Sequence, residues 1–340
     1  MEKRSIVKIF MLTAFLVITV GCEFCIESNY GQYAKQVHPP IVEGEKPTPT
    51  SGSNMAPVQA TAPNPKYITI RGVKYSTSLT ELHLWNMGLV DEEVIYLRYM
   101  TNLRLLNLSF DILELEYDSN PNPNQITDLS LLSSLTSLEV LWLCGNNIND
   151  LSPLLSLTNL EWLTIIRSNI SDIAPLRELT SLTTLELGFN EIRDITPLSG
   201  HPNLDLLRLY HNQISDISEL MELPRIHLLH LGNNRISDVA NLHNLETLRV
   251  LYLNDNQISD IVSLSNLGYL NALFLNGNQI RDISPLLGLA NLSTLSLKNN
   301  QIDDVNPLSE LDSLVWLWLD GNPVTDWSPV THLDNVGGRP

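Results

Sequence analysis

The chain has 340 residues, 43% of them hydrophobic, which is enough for a long core, but only 6% are aromatic, so leucine and isoleucine must carry the burial. Its formal net charge is −18, from 38 acidic and 20 basic side chains. So acidic a surface repels phosphate backbones and anionic headgroups, which argues against nucleic acid as a partner.

Taken from the N-terminus, Lys3, Arg4 and Lys8 precede an uncharged stretch that runs only from Ile9 to Val20. A membrane-spanning helix needs about 20 apolar residues, so residues 1–21 read as an export signal. The segment closes on Thr19-Val20-Gly21-Cys22, which resembles the lipobox of bacterial lipoproteins. That resemblance implies cleavage before Cys22, a lipid on its thiol, and anchoring at the extracytoplasmic face of the cell membrane in a bacterial envelope. Two acyl chains on one residue suffice for stable anchoring. The alternative is an ordinary signal peptide with an incidental cysteine. Cys25 and Cys144 are too few and too isolated for a disulfide framework, and no zinc spacing occurs.

Residues 22–66 change character, with Pro39, Pro40, Pro47, Pro49, Pro57, Pro63 and Pro65 among Ser, Thr, Gln and Asn. This composition predicts a disordered tether with an r.m.s. span of roughly 35–40 Å. Within residues 67–78, Tyr67 to Tyr75 alternates around Arg71-Gly72 and predicts a β-hairpin cap.

From Leu79 to about residue 333 the chain repeats. Leu138, Leu160, Leu182, Leu204, Ile226, Leu248, Leu270, Leu292 and Leu314 recur at a constant period of 22, each opening L-x-x-L-x-L-x-x-N-x-I-x-D or a close variant. That period and leucine spacing are those of a leucine-rich repeat. The fold class expected is an α/β repeat solenoid of about 11 repeats: an arc with a parallel concave β-sheet and short 3₁₀ or irregular convex segments. In each repeat the leucines flanking an outward residue point inward. The asparagine row, interrupted by Ser168, can satisfy backbone groups where the chain leaves the strand. The aspartate row from Asp91 to Asp326 reads as caps for the convex segments in preference to a cation ladder. Pro153, Pro175, Pro197, Pro285, Pro307 and Pro329, most of them after Ser, Thr or Asn, read as first helical positions behind a polar N-cap.

The first repeat, opening at Leu79, is slightly longer than the rest, and its convex piece, Asp91 to Leu97, is long enough for a true helix. The second is interrupted by an insertion, Asp111 to Pro123, which should leave from the rim beside the concave face; a contact finger and a tolerated loop are both open. Residues 334–340 read as a tail, with Trp327 as a shield for the last turn.

No nucleophile–base pair, phosphate loop or metal spacing occurs, so neither catalysis nor a cofactor is expected. Tyr210, His211 and His230 should lie together, with Glu186 and Arg208 in the row of His230, and this is best read as ordinary surface pairing. The central outward position reads His83, Asn107, Trp142, Thr164, Glu186, Arg208, His230, Tyr252, Phe274, Ser296 and Trp318, and its neighbours add Trp85, Trp162, Tyr210 and Trp316. Aromatics with an arginine are the types enriched at binding hot spots. Trp142, Trp162, Arg208, Tyr210, His230, Tyr252, Phe274, Trp316 and Trp318 are therefore the candidate ligand-binding residues. The alternative for these side chains is packing between adjacent strands.

Asn-x-Ile-x-Asp followed by a Pro-Leu step at period 22, over residues 79–330, resembles the internalin-like bacterial repeats. The resemblance implies protein binding through the concave face. The helical cap, immunoglobulin-like region and wall anchor of internalins proper find no counterpart in the sequence, so a host-invasion role does not transfer. The expectation is a monomeric, lipid-anchored extracytoplasmic module that binds a protein. Glycan binding through the concave aromatics and a structural spacer are the alternatives.

Overall fold

The computed structural model describes residues 64–110 and 123–339. The export signal, Cys22, the tether up to residue 63 and residues 111–122 of the insertion lie outside the described residues.

Fourteen strands occur among the described residues, each short. They are β1 (Tyr67–Ile70), β2 (Val73–Ser76), β3 (Glu81–His83), β4 (Leu105–Asn107), β5 (Val140–Trp142), β6 (Trp162–Thr164), β7 (Thr184–Glu186), β8 (Leu206–Arg208), β9 (Leu228–His230), β10 (Val250–Tyr252), β11 (Ala272–Phe274), β12 (Thr294–Ser296), β13 (Trp316–Trp318) and β14 (Asn335–Gly337). Strands β3 to β14 form one parallel sheet in strict sequence order. The register follows the repeat: Leu207 faces Leu229, which faces Leu251, which faces Leu273. Each of these leucines is 0% exposed, as are Leu209, Leu231, Leu253 and Leu275 two positions on. Two inward leucine columns thus stack into a one-dimensional core in which each turn leans only on its neighbours.

The asparagines close the strand side. Asn256 Oδ1 accepts the N–H of Ile236, and its Nδ2 donates to the carbonyls of Leu231 and Leu253, all within 3.0–3.1 Å. The same triad of bonds recurs at Asn212, Asn234, Asn278, Asn300 and Asn322. An amide can do this because it accepts and donates at once. At Ser168 the hydroxyl donates to the Asn146 carbonyl, and among the described residues no asparagine-type bond reaches the Ile148 N–H.

Convex segments are single 3₁₀ turns, mostly of five residues, such as Ser152–Ser156 and Ser284–Gly288. Aspartate caps them. Asp150, Asp194, Asp216 and Asp282 each accept the backbone N–H two positions on, at 2.8–2.9 Å. The Ser, Thr or Asn before five of the six prolines, read from sequence as the N-cap, is instead the first residue of the turn, and the carboxylate two positions earlier does the capping. It does so because an Asp side chain reaches its own backbone two positions on.

Asp91 departs from the row. It opens helix α1 (Asp91–Val94), which runs into a 3₁₀ turn, Ile95–Tyr99, so the helix expected here is one turn long. Its carboxylate accepts the Thr127 N–H at 2.9 Å and the Thr127 hydroxyl at 2.6 Å, tying the first repeat to the second across the insertion.

Each end carries an element outside the leucine framework. The hairpin β1–β2 pairs Tyr67 with Ser76 through Ile70 with Val73, and the turn residues Arg71 and Gly72 both have positive φ, 47° and 81°. Ile68 and Ile70 are buried, and Arg71 reaches Glu93 at 2.8 Å and the carbonyls of Met87 and Gly88. At the other end, the segment 334–340 read as a tail contains β14, paired in parallel with β13, which gives the sheet its twelfth strand. Three features hold it: Leu333 is buried, Val336 packs on the core, and Arg339 Nη2 donates to the carbonyls of Val330 and Leu333. The sequence hid this strand because it lacks the leucine framework.

Candidate functional site

The outward strand positions align in columns by the same register that stacks the leucines. One column runs Asn107, Trp142, Thr164, Glu186, Arg208, His230, Tyr252, Phe274, Ser296, Trp318. The candidate residues divide along it into three groups.

At the N-terminal end Trp142 and Trp162 meet edge to face, with centroids 5.7 Å apart. Trp162 Nε1 donates to Thr164 Oγ1 at 2.8 Å, whereas Trp142 Nε1 is buried with no hydrogen-bond partner among the described residues. At the C-terminal end Trp316 and Trp318 lie nearly parallel, 6.0 Å apart and 10° between planes, with Lys298 Nζ 6.0 Å from the Trp318 ring centroid. Trp318 lies against Gly337 of β14, where a Cβ would come within 2.8 Å of its ring.

Between them the rings form an unbroken array. Phe189 stacks on His211 at 4.1 Å, and both meet Tyr210 edge-on at 5.4 and 6.0 Å. Tyr210 tilts against His230 at 4.7 Å, His230 stacks on Tyr252 at 4.5 Å, and Tyr252 stacks on Phe274 at 4.3 Å. Gly188 makes the Tyr210 position possible, since a Cβ there would fall 2.5 Å from the ring. Four of these side chains were singled out from sequence; Phe189 was not, and His211 was read only as part of a surface cluster.

Exposure differs from the expectation in two places. Tyr252, read as an exposed contact, is 6% exposed because its neighbours cover both ring faces. It belongs to a small apolar cluster on the concave side with Val250 and Ala272, against which Leu228 and Phe274 pack. Arg208, read both as a ligand contact and as one of a row of surface pairs, does pair with Glu186 at 2.8 Å, but the two side chains are only 12% and 2% exposed, so the pair is not a surface one. The outward column Leu206, Leu228, Val250, Ala272 was missed. An apolar residue at the same outward position in four consecutive repeats is the signal that could have found it.

Electrostatics make the centre quiet. Burial, then the charges of Arg208 and His211, hold the His230 imidazole down to about 3, so it stays neutral, and its Nδ1 accepts the Gly232 N–H at 3.2 Å. Burial lowers His211 too, with Asp255 opposing and Arg167 adding to the shift. Burial pushes the Cys144 thiol up to about 12, leaving no thiolate for chemistry. Among the described residues no group of three or more His, Cys, Asp or Glu side chains is placed to hold a metal ion.

The fold and this face can be compared with known proteins. The family Leucine Rich repeats (2 copies) matches residues 158–200, 202–244, 246–288 and 270–310. Internalin C2 of Listeria monocytogenes is 34% identical, with 53% of this chain covering 80% of that one at a TM-score of 0.51. The chain belongs to the internalin-like leucine-rich repeat proteins. A second internalin of that organism, InlF, is 28% identical, covering 77% of this internalin-like chain and 89% of its own, with a TM-score of 0.60. The functional domain of Listeria InlJ shares the fold at 21% identity and a TM-score of 0.57, over 77% of this chain and 59% of that one. Comparison with curated proteins returns no match.

Proposed function

We propose that this internalin-like chain is a non-catalytic protein-binding module, held at the extracytoplasmic face of a bacterial membrane by a lipid on Cys22, and that it grips its partner with the concave face. Leucine-rich repeat proteins are generally protein-binding modules. The observation that carries the reading is the array from Phe189 to Phe274, six rings on four adjacent repeats and the strand beyond, flanked by half-buried tryptophan pairs. Rings packed side by side on a rigid sheet are pre-ordered, so a partner meets little entropic cost in using them. The neutral His230 and the paired Arg208 supply shape and polarity without a reactive group.

Glycan binding stands as a second reading because Trp316 and Trp318 lie parallel and half-buried, a surface on which sugar rings stack. It concentrates affinity on that one pair, whereas a protein partner spreads it over several repeats.

Two measurements test the proposal. Cys22→Ala should move the protein out of the detergent phase or leave an uncleaved precursor, and identical partitioning of variant and parent removes the anchor. A partner captured by cross-linking on cells should be lost on Phe274→Ala and Trp318→Ala but kept on the convex Glu178→Ala. Equal loss from all three variants removes the concave assignment.

A further inference from the structure

Where each strand turns out of the sheet, one residue per repeat takes a left-handed backbone. The column reads Gly145, Arg167, Phe189, His211, Asn233, Asp255, Gly277, Asn299 and Gly321, with φ between 52° and 74°. Gly, Asn, Asp and, less readily, His are the residues that tolerate this conformation, and a long or bulky side chain there is strained. Arg167 and Phe189, the two types in the column least suited to it, occupy it in successive repeats with His211 in the next, so the strained positions adjoin one another. Strained backbone that persists in one patch points to a function for the side chains.

The three form a stack at the rim. The Arg167 guanidinium carbon lies 4.5 Å from the Phe189 ring centroid, and Phe189 lies flat on His211 with 11° between planes. Arg167 and His211 are exposed and Phe189 is half-buried. Further along the same turns, the exposed Arg193 and Arg235 both donate to Gln213 Oε1, at 2.8 and 3.4 Å. None of Arg167, Arg193 and Arg235 forms an ion pair among the described residues, and neither does Glu191, although 38 carboxylate side chains were available in the sequence. Arg71, Arg104, Arg208 and Arg281 pair with carboxylates, whereas Arg98, Arg177, Arg225, Arg249 and Arg339 do not among the described residues, so the rim is set apart by its stack on Phe189 and His211 and not by the missing ion pairs alone.

We infer that this rim, Arg167–Phe189–His211 with Arg193 and Arg235, is the anchor for an acidic segment of the protein partner, its carboxylates meeting the three guanidiniums and an aromatic side chain lying against Phe189 and Tyr210. The inference rests on the protein-binding reading above and adds the chemistry of the partner. Guanidiniums without carboxylate partners in an acidic chain attract what the rest of the surface repels. Arginine already stacked on a ring loses little freedom when it pairs.

The test uses the full chain and a short fluorescein-labelled peptide of alternating Glu and Tyr, with a Lys-Tyr peptide of equal length as control, read by anisotropy. The acidic peptide should bind, weaken with salt, and lose at least about tenfold in affinity on Arg167→Gln and on Phe189→Asn. Phe189→Asn puts a residue suited to left-handed backbone into the column, so its thermal midpoint should hold or rise, which separates lost binding from unfolding. Arg167→Asn is the second variant with the same logic. Parent-like peptide binding in both Asn variants overturns the inference, as does equal binding of the Lys-Tyr peptide. So does binding of polygalacturonate in place of the acidic peptide, which identifies an acidic glycan instead. A captured protein partner lost on Phe274→Ala and Trp318→Ala but untouched by Arg167→Gln and Phe189→Asn overturns the rim anchor and leaves the concave reading standing.

Discussion

Tyr252 and Phe274 lie face to face on adjacent strands, 4.3 Å between ring centroids and 4° between planes. Parallel β pairing puts their Cα atoms directly opposite each other, and a parallel sheet repeats that spacing at each step. Two consequences separate them. Tyr252 is covered on both sides and is part of the fold, while Phe274, with Ser296 as its next neighbour, keeps a face toward solvent.

Tyr252→Ala should therefore cost about 2–4 kcal/mol in denaturant unfolding, as expected for removing a buried ring. Phe274→Ala should cost about 1 kcal/mol, the loss of one stacked pair at a half-exposed site. Equal costs for the two would remove the distinction between a packing ring and a contact ring.

The asparagine ladder predicts an asymmetric pair of substitutions. Asn256→Leu strands the Ile236 N–H and the Leu231 and Leu253 carbonyls, and should cost about 1–3 kcal/mol. Ser168→Asn restores the amide at the one interrupted rung and should raise stability by about 0.5–1 kcal/mol. Chemical denaturation of both variants checks them, and a neutral Asn256→Leu would sink the ladder argument.

Acid should weaken the caps. The carboxylates of Asp150, Asp194, Asp216, Asp282 and Asp326 are held below the usual aspartate range, at Asp282 by the Ser284 N–H first and its hydroxyl second. A depressed carboxylate stabilises fully above its unfolded pKa of about 3.9, and that stability is lost as pH falls through the folded value. Asp282→Asn keeps an acceptor for the cap but cannot titrate. Thermal midpoints from pH 7 to pH 2.5 should converge at the acid end, with the variant falling less steeply; parallel curves count against the caps as titrating elements.

His230 should titrate near 3 because its half-buried ring is covered by Tyr210 and Tyr252 and lies beside Arg208. Its folded pKa lies below the unfolded value of about 6.5, so the unfolded chain binds the extra proton first and stability declines as pH falls below 6.5. The imidazole resonances of His230 should stay those of the neutral ring at pH 5, and the parent should lose more stability than His230→Phe between pH 7 and pH 5. A charged ring at pH 5 would contradict the buried stack.

What the amino-acid sequence determined by itself was periodicity. Leu185, Leu187, Asn190, Ile192 and Asp194 recur one period later as Leu207, Leu209, Asn212, Ile214 and Asp216, and a repeat that regular dictates an in-register parallel sheet with its core, ladder and caps. The central outward column was legible for the same reason, since register turns sequence spacing into neighbourhood, while the apolar column from Leu206 to Ala272 beside it was not read. Exposure was not legible. Whether Tyr252 is a contact or a packing element depends on the rings one strand away on each side, and the freedom of Arg208 depends on Glu186 one repeat earlier. Nor did spacing reveal β14, whose place follows from contacts of Leu333, Val336 and Arg339 and not from leucines. The strain at Phe189 likewise belongs to the tertiary structure, because only the turn out of the sheet imposes φ of 54° on a residue that would otherwise avoid it.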